Sequence, residues 1–365
     1  MSTPLLTPHP IGIFPLPAGY LLLPNIEEAK ALQAELLKGN VPASFPNALS
    51  YYQLALDGNV EAAHAALMGN ESEIGRFNRF VLQSDPATYA QLKNDLTGEL
   101  AVLLDLVAST LGYIADPPTE ETAVATIDAL VQMAHAAHQL EQQQPAAALP
   151  HIQAAIELVE AELPLLAAQF MGSLAETKRD LNGSSYETVQ LYQRVQKLLE
   201  GSQLEELKAE TWLNLGIAYQ EISEGRRGGL VEAVKCYQAA LYVFKKETHP
   251  DYFARCHTYL ALAYLTMPMR EASDQLRMGI AVRSLREALE IYRPDTHPDQ
   301  WASAQLNLAN ALQYLPSSHP TENLAQAGEL YEEILSVRTA LADPVGYARV
   351  QANQANALAH LGIFD

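Results

Sequence analysis

Residues 212–219 read WLNLGIAY, and shortened versions of this stretch return three times further along the chain. The recurrences are LALAY at residues 260–264, LANAL at residues 308–312 and QANAL at residues 354–358. Apolar residues three and four positions apart are typical of an amphipathic helix. A helical segment that returns at a nearly constant interval predicts an array of stacked helical repeats.

Prolines mark the same interval. Pro250, Pro298 and Pro344 each precede a recurrence by ten residues, and they are 48 and 46 residues apart. Because proline is well tolerated in the first turn of a helix, each one is predicted to open a new unit. Small or aliphatic residues recur in phase before each proline, where two helices are expected to cross closely. They are Ala233, Ala240, Ala281, Ala288, Ala327 and Ile334.

The first full unit resembles the tetratricopeptide repeat family, whose unit is a helical hairpin with conserved residue types at fixed offsets. The matching residues are Trp212, Leu215, Gly216, Tyr219, Ala233, Tyr237, Ala240 and Pro250. The resemblance covers residues 186–365, but Ala261, Ala309 and Ala355 replace the glycine in later units. The period exceeds the family's usual 34 residues. Similar long-period repeats with a P-x-x-[YWF]-A opening, here residues 344–348, occur in bacterial proteins, which implies a bacterial origin.

The predicted fold class is therefore all-α, with a right-handed helical-hairpin solenoid of tetratricopeptide type preceded by an irregular α-helical domain. We expect an extended apolar, proline-rich arm at residues 1–24, an acidic α-helical domain at 25–182 and the repeat array at 183–365. The arm lacks the basic start of a signal peptide and the length of a membrane span. It is expected to cover an open helical edge, with a docking peptide as the alternative.

The resemblance implies a groove, lined by the first helices, that binds an extended or helical peptide. The second, sixth and ninth positions of the units supply the candidate groove residues. They are Asn214, Arg255, Tyr259, Asn307, Asn310, Arg349, Asn353 and Asn356. An asparagine amide is both donor and acceptor, so a column of them can bond a peptide main chain. The arginines could hold peptide carboxylates, although the carboxylate clamp of this family is not reproduced in full. The alternative is that the asparagines bridge neighbouring repeats.

Charge disfavours several partners. The 365 residues include 23 Lys and Arg and 43 Asp and Glu, for a net charge of −20, which would repel nucleic acid or an anionic membrane surface. Residues 94–177 contain twelve carboxylates and no Lys or Arg, which indicates either a solvated acidic face or a surface that steers a basic partner.

Hydrophobic residues make up 48% of the sequence, so a compact protein is expected. Its two cysteines cannot form a disulfide framework, and a cytoplasmic location is therefore predicted.

No recognised catalytic or phosphate-binding motif occurs in the sequence, so neither an enzyme nor a cofactor is predicted. His135, His138 and Glu141 would share one face of a helix as possible metal ligands. Ten histidines make such a set expected by chance, so ordinary packed or surface histidines are the preferred interpretation. His249 and His297 precede prolines and are assigned to helix boundaries. Cys236 and Cys256 are expected to be buried packing residues.

The sequence favours a non-enzymatic protein–protein interaction module, a scaffold, adaptor or assembly chaperone, that binds a protein segment in the repeat groove. The alternative is an accessory or regulatory subunit that contacts its partner through the acidic N-terminal half, with the repeats used for oligomerisation. The fourth unit supplies one helix before Asp365. We therefore expect either a longer natural chain or self-association through this C-terminal end.

Overall fold

The computed structural model describes residues 5–268, 275–316, 319–337 and 343–364. Seventeen α-helices and two short 3-10 helices, but no strand, lie within these ranges. Consecutive helices pack against one another, as in a helical-repeat solenoid, so the predicted all-α fold class is confirmed. Among the described helices, none combines the length and apolar composition needed to cross a membrane.

The helices form two compact units. The first comprises Met1–Gly183 and Glu187–Leu207, and the second comprises Ser184–Tyr186 and Lys208–Asp365. The helices of the first unit are α1 (Glu27–Leu36), α2 (Ser50–Leu56), α3 (Val60–Ala66), α4 (Glu73–Leu82), α5 (Pro86–Asp95), α6 (Glu99–Thr110), α7 (Ala125–Glu141), α8 (Pro145–Val159), α9 (Pro164–Asn182) and α10 (Tyr186–Leu199).

The arm is built into the core of the first unit. Ile11, Ile13 and residues 21–23 are at most 1% exposed. Asn78 on α4 binds the arm through its amide, since Oδ1 accepts from the backbone N–H of Leu22 at 2.7 Å and Nδ2 donates to its carbonyl at 2.8 Å. Tyr51 on α2 donates a second hydrogen bond, 2.6 Å long, to the same carbonyl. The extended backbone therefore finds partners that a helix would supply internally.

The second unit consists of helical hairpins. Its helices are α11 (Glu205–Ile222), α12 (Arg227–Val243), α13 (Pro250–Thr266), α14 (Gln275–Leu289), α15 (Pro298–Gln313), α16 (Pro320–Val337) and α17 (Pro344–Phe364). As predicted, Pro250, Pro298 and Pro344 each occupy the first position of a helix. The six residues assigned to close helix crossings are all 0% exposed. They are Ala233, Ala240, Ala281, Ala288, Ala327 and Ile334.

The glycine of the first hairpin is required by an aromatic ring. A Cβ at Gly216 on α11 would lie 2.6 Å from the ring of Tyr237 on α12, closer than carbon atoms can approach. The Tyr237 hydroxyl donates to Gln220 Oε1 at 2.8 Å, which holds the ring over the glycine. This hairpin is thus joined by one ring that contributes both packing and a hydrogen bond.

The sequence predicted a domain boundary between residues 182 and 183, whereas the main part of the second unit begins at Lys208. Helix α10 falls mostly within the first unit, and its Val195 and Leu199 are buried in that unit's core. Its apolar face has the helical period of a repeat, but a period does not specify which core covers the face. The hairpins of the second unit begin with α11.

Candidate functional site

Helices α13, α15 and α17 are the first helices of the second, third and fourth repeats. One face of these helices brings most of the predicted groove residues together. We call the set at offsets 0, 3, 4, 7, 10 and 11 on each helix the first-helix row, because these offsets share one side of a helix. Its members are Arg255, Thr258, Tyr259, Leu262, Leu265 and Thr266 on α13, Ser303, Leu306, Asn307, Asn310, Gln313 and Tyr314 on α15, and Arg349, Ala352, Asn353, Asn356, Ala359 and His360 on α17. All are half-buried or exposed, and α15 contacts both α13 and α17.

A hydrogen-bonded network runs through the row. Asn310 Oδ1 accepts from Asn353 Nδ2 at 2.9 Å and from the Tyr331 hydroxyl of α16 at 2.6 Å. Gln313 donates to the same Tyr331 oxygen and accepts from Asn356 Nδ2 at 3.1 Å. Burial raises the pKa of Tyr331 to about 12, so its hydroxyl stays a donor. The network joins α15, α16 and α17, so bridging between repeats uses part of the asparagine column.

The network leaves hydrogen-bonding groups of the column unused. A primary amide has two N–H donors and one acceptor oxygen with two lone pairs. Among the described residues, nothing bonds the amide N–H groups of Asn310 or the Oδ1 atoms of Asn353 and Asn356, and Asn307 is half-buried with its whole amide unpaired. Fixed amides with spare donors and acceptors can bond a peptide main chain without selecting its side chains.

Asn214 is buried, unlike the other predicted groove residues. It is only 7% exposed and lies between Leu213 and Ile217, which are 0% and 3% exposed. Tyr259 occupies the equivalent position on α13. It is half-buried, and its ring stacks on that of Tyr237 at a centroid distance of 5.9 Å. The accessible part of the column therefore begins at α13.

The first-helix row is free of carboxylates. It contains two arginines, Arg255 and Arg349, and one histidine, His360, in a chain whose net charge is −20. The equivalent face of α11 differs, since Glu210 and Glu221 occupy its first and last positions. Glu210 accepts a 3.0 Å hydrogen bond from the Tyr252 hydroxyl. The acid-free face thus coincides with the accessible part of the column.

The two histidines considered as metal ligands have different partners. His135 Nε2 bonds the Pro118 carbonyl at 3.0 Å, whereas His138 Nε2 bonds Gln142 at 2.7 Å. The His135 ring stacks on that of His151, and burial, followed by the charge of His135, lowers the pKa of His151. Within the described ranges, no three His, Cys, Asp or Glu side chains are arranged to hold a metal ion.

The repeated histidines lie at helix boundaries. His249 and His297 are the residues immediately before α13 and α15, and each ring nitrogen Nδ1 is 2.9 Å from the hydroxyl of the preceding threonine. Their rings pack on Phe244 and Tyr292, at centroid distances of 5.3 and 5.4 Å. Those aromatic residues are also 48 positions apart, so the repeat in the sequence extends to the aromatic partner of each histidine.

Both cysteines are buried free thiols, Cys236 on α12 and Cys256 on α13. Burial raises the pKa of each thiol to about 12. A thiolate is the reactive form, so these side chains are packing residues with little nucleophilic character.

Cations from outside the acidic stretch neutralise several of its carboxylates. Asp95 pairs with Arg76 at 2.6 Å, and the buried Asp105 pairs with Lys93. Glu160 and Glu176 pair with Arg194 and Arg179. A second group, Glu99, Glu120 and Glu121, lines one cleft of the first unit together with the Lys93–Asp105 pair. The stretch is therefore partly an ion-paired surface and partly an excess of exposed carboxylates.

Helix α17 exposes alanines whose equivalents in the preceding repeat are buried. Ala348 and Ala355 are exposed, whereas the equivalent Ala302 and Ala309 of α15 are 2% and 0% exposed. Leu358, on the same helix, is 55% exposed. Self-association through this end stays a prediction.

Compared with known proteins, the chain matches no protein-family model and no curated protein sequence.

Proposed function

We propose that this chain is a non-enzymatic, cytoplasmic interaction module of the tetratricopeptide type, which acts as a scaffold, adaptor or assembly chaperone. Its ligand is a protein segment that lies along the first-helix row. The observation that carries the proposal is the column of unused amide groups at Asn307, Asn310, Asn353 and Asn356. The last three of these amides are held by bonds to one another, to Tyr331 or to Gln313. Because these three amides are held in place before binding, little of their side-chain entropy is lost when a segment binds.

The charge of the row indicates which segments fit. Two arginines and no carboxylate on an otherwise acidic protein favour a segment that carries Asp or Glu, since opposite charges speed association and fix register. The chemistry of the row is hydrogen bonding through amides, hydroxyls and guanidinium groups. The two buried thiols support a reducing compartment.

The test uses a random peptide library selected on the full chain. Asn307→Ala should weaken the selected peptides by about fivefold, the effect of roughly one net hydrogen bond. Arg255→Gln should weaken peptide binding more than Asn307→Ala does at low salt. It should also reduce the dependence of the affinity on ionic strength. The matched control is Gln238→Ala, an exposed amide on the second helix α12, which should leave affinity unchanged.

Two results would contradict the proposal. One is a library that yields no binding peptide, and the other is a set of peptides indifferent to Asn307→Ala and Arg255→Gln. Peptides that respond instead to Glu120→Gln with Glu121→Gln would favour the alternative function, in which the acidic N-terminal unit makes the contact.

A further inference from the structure

A cleft opens beside the first-helix row where α15 ends. Its volume is about 320 Å³, and residues from α15, its following turn, α16 and α17 line it. The main lining residues are Leu312, Gln313, Tyr314, Leu315, Leu324 and His360. Sites for small molecules and cofactors have volumes of about 300–1,000 Å³, so this cleft is at the lower limit of that range. Its size suits a single side chain better than a cofactor.

The lining of the cleft is apolar inside and open at its mouth. Leu312 and Leu324 are 1% and 4% exposed and form the inner wall, whereas Tyr314 at the mouth is 61% exposed. Leu315, which also lines the cleft, is half-buried. No lining residue is Asp, Glu, Lys or Arg. Such a lining gains free energy from burying an apolar group and gives a charged group no partner.

The cleft is continuous with the row. Gln313 lines it and also accepts the hydrogen bond from Asn356, and Tyr314 and His360 are the last row members on their helices. Gln313 follows Asn310 by one helical turn, about 5 Å, which one or two residues of an extended peptide span. A segment whose main chain bonds Asn310 can therefore place a neighbouring side chain at the mouth.

We propose that this cleft receives one apolar side chain, aromatic or branched aliphatic, of the acidic segment bound by the first-helix row. The inference rests on the proposed function and deepens it, because it assigns a side-chain preference that the amide column lacks. Charge supports this occupant. The row is free of carboxylates, and its Arg349 lies on the same helix as the lining residue His360, about 16 Å before it along the helix axis. An extended segment spans that distance in about five residues, so an apolar residue with an Asp or Glu about five positions away fits both surfaces.

The test uses peptides from the same library, selected on the full chain. We expect them to share one apolar position, and Leu315→Trp, which fills the cleft, should weaken them by about tenfold, as should replacing that peptide residue by Ala. The two changes together should weaken binding no more than either alone, since both remove the same contact. Tyr314→Ala, at a largely exposed residue, provides a second variant that tests the mouth without disturbing the core.

The outcomes separate the two proposals. Peptides that lose affinity with Asn307→Ala, yet show no apolar position and tolerate Leu315→Trp and Tyr314→Ala, would overturn the cleft assignment and leave the proposed function standing. A library without any binding peptide would overturn both. Gln238→Ala again serves as control, and an unchanged melting temperature for each variant excludes loss of the fold as the cause.

Discussion

The amide of Asn353 on α17 donates a 2.9 Å hydrogen bond to Oδ1 of Asn310 on α15. These residues occupy the sixth and ninth positions of successive first helices, so the bond crosses from one repeat to the next. The same oxygen accepts from Tyr331 of the intervening second helix. A residue type suited to binding a ligand thus also fastens the repeats, and substitutions can separate the two roles.

Asn310→Ala should loosen α17. The substitution removes the acceptor of two hydrogen bonds and leaves the Asn353 amide and the Tyr331 hydroxyl without it, at a cost of about 2 kcal/mol. Hydrogen exchange measured by mass spectrometry should show faster exchange in α17, by roughly 30-fold. Asn307→Ala should leave that exchange rate unchanged, and equal effects of the two variants would contradict the assignment.

Gly216→Ala should destabilise the second unit, because the new methyl group would lie 2.6 Å from the Tyr237 ring. Displacing a packed ring in this way costs about 1–3 kcal/mol. Gly328→Ala is the matched control, since Gly328 is within α16 and nothing lies within 4 Å of its added Cβ. There the better helix propensity of alanine should stabilise by about 0.5–1 kcal/mol. Urea denaturation should show a lower free energy of unfolding for Gly216→Ala and a higher one for Gly328→Ala, each compared with the wild type.

The first unit should lose stability in acid through His9. This side chain is fully buried, its Nε2 accepts from the Leu23 N–H at 2.9 Å, and burial lowers its pKa from 6.5 to about 3. Between these values the unfolded chain binds a proton that the folded chain does not. Stability should therefore fall as the pH falls from 6.5 towards 3, by on the order of 4 kcal/mol in total, with no contribution above 6.5.

Urea denaturation of the wild type and His9→Gln at several pH values between 4 and 7 measures this effect. Glutamine keeps an acceptor for Leu23 but does not titrate, so the variant should lose about 3 kcal/mol less than the wild type between pH 7 and 4.5. Parallel pH profiles would show that His9 is not responsible.

The thiols of Cys236 and Cys256 should resist alkylation in the folded chain. A pKa of about 12 instead of 9 lowers the thiolate fraction at pH 8 by roughly a thousandfold. Mass spectrometry after iodoacetamide treatment should find both unmodified in buffer and both modified in denaturant. Rapid labelling in buffer would mean that α12 and α13 open readily.

The sequence was sufficient to predict the all-helical class and the residues at which α13, α15 and α17 begin, but not where the repeat array starts. Pro250 and Pro298 begin helices, and Ala233 and Ala281 are completely buried where helices cross. These features were predictable because helix starts depend on neighbouring residues, and because repetition shows the same packing requirement several times. The right-handed superhelix and the tetratricopeptide membership remain predictions.

Only the tertiary structure decided which polar groups are already bonded. Asn214 and Asn307 occupy the same repeat position, yet the first is buried and the second keeps an unpaired amide. Likewise, nothing near Asn78 in the sequence indicates that its amide holds the backbone of Leu22, 56 residues away. Burial and hydrogen-bond partners depend on which distant segments pack together, and a pattern along one helix carries no information about the segment that covers it.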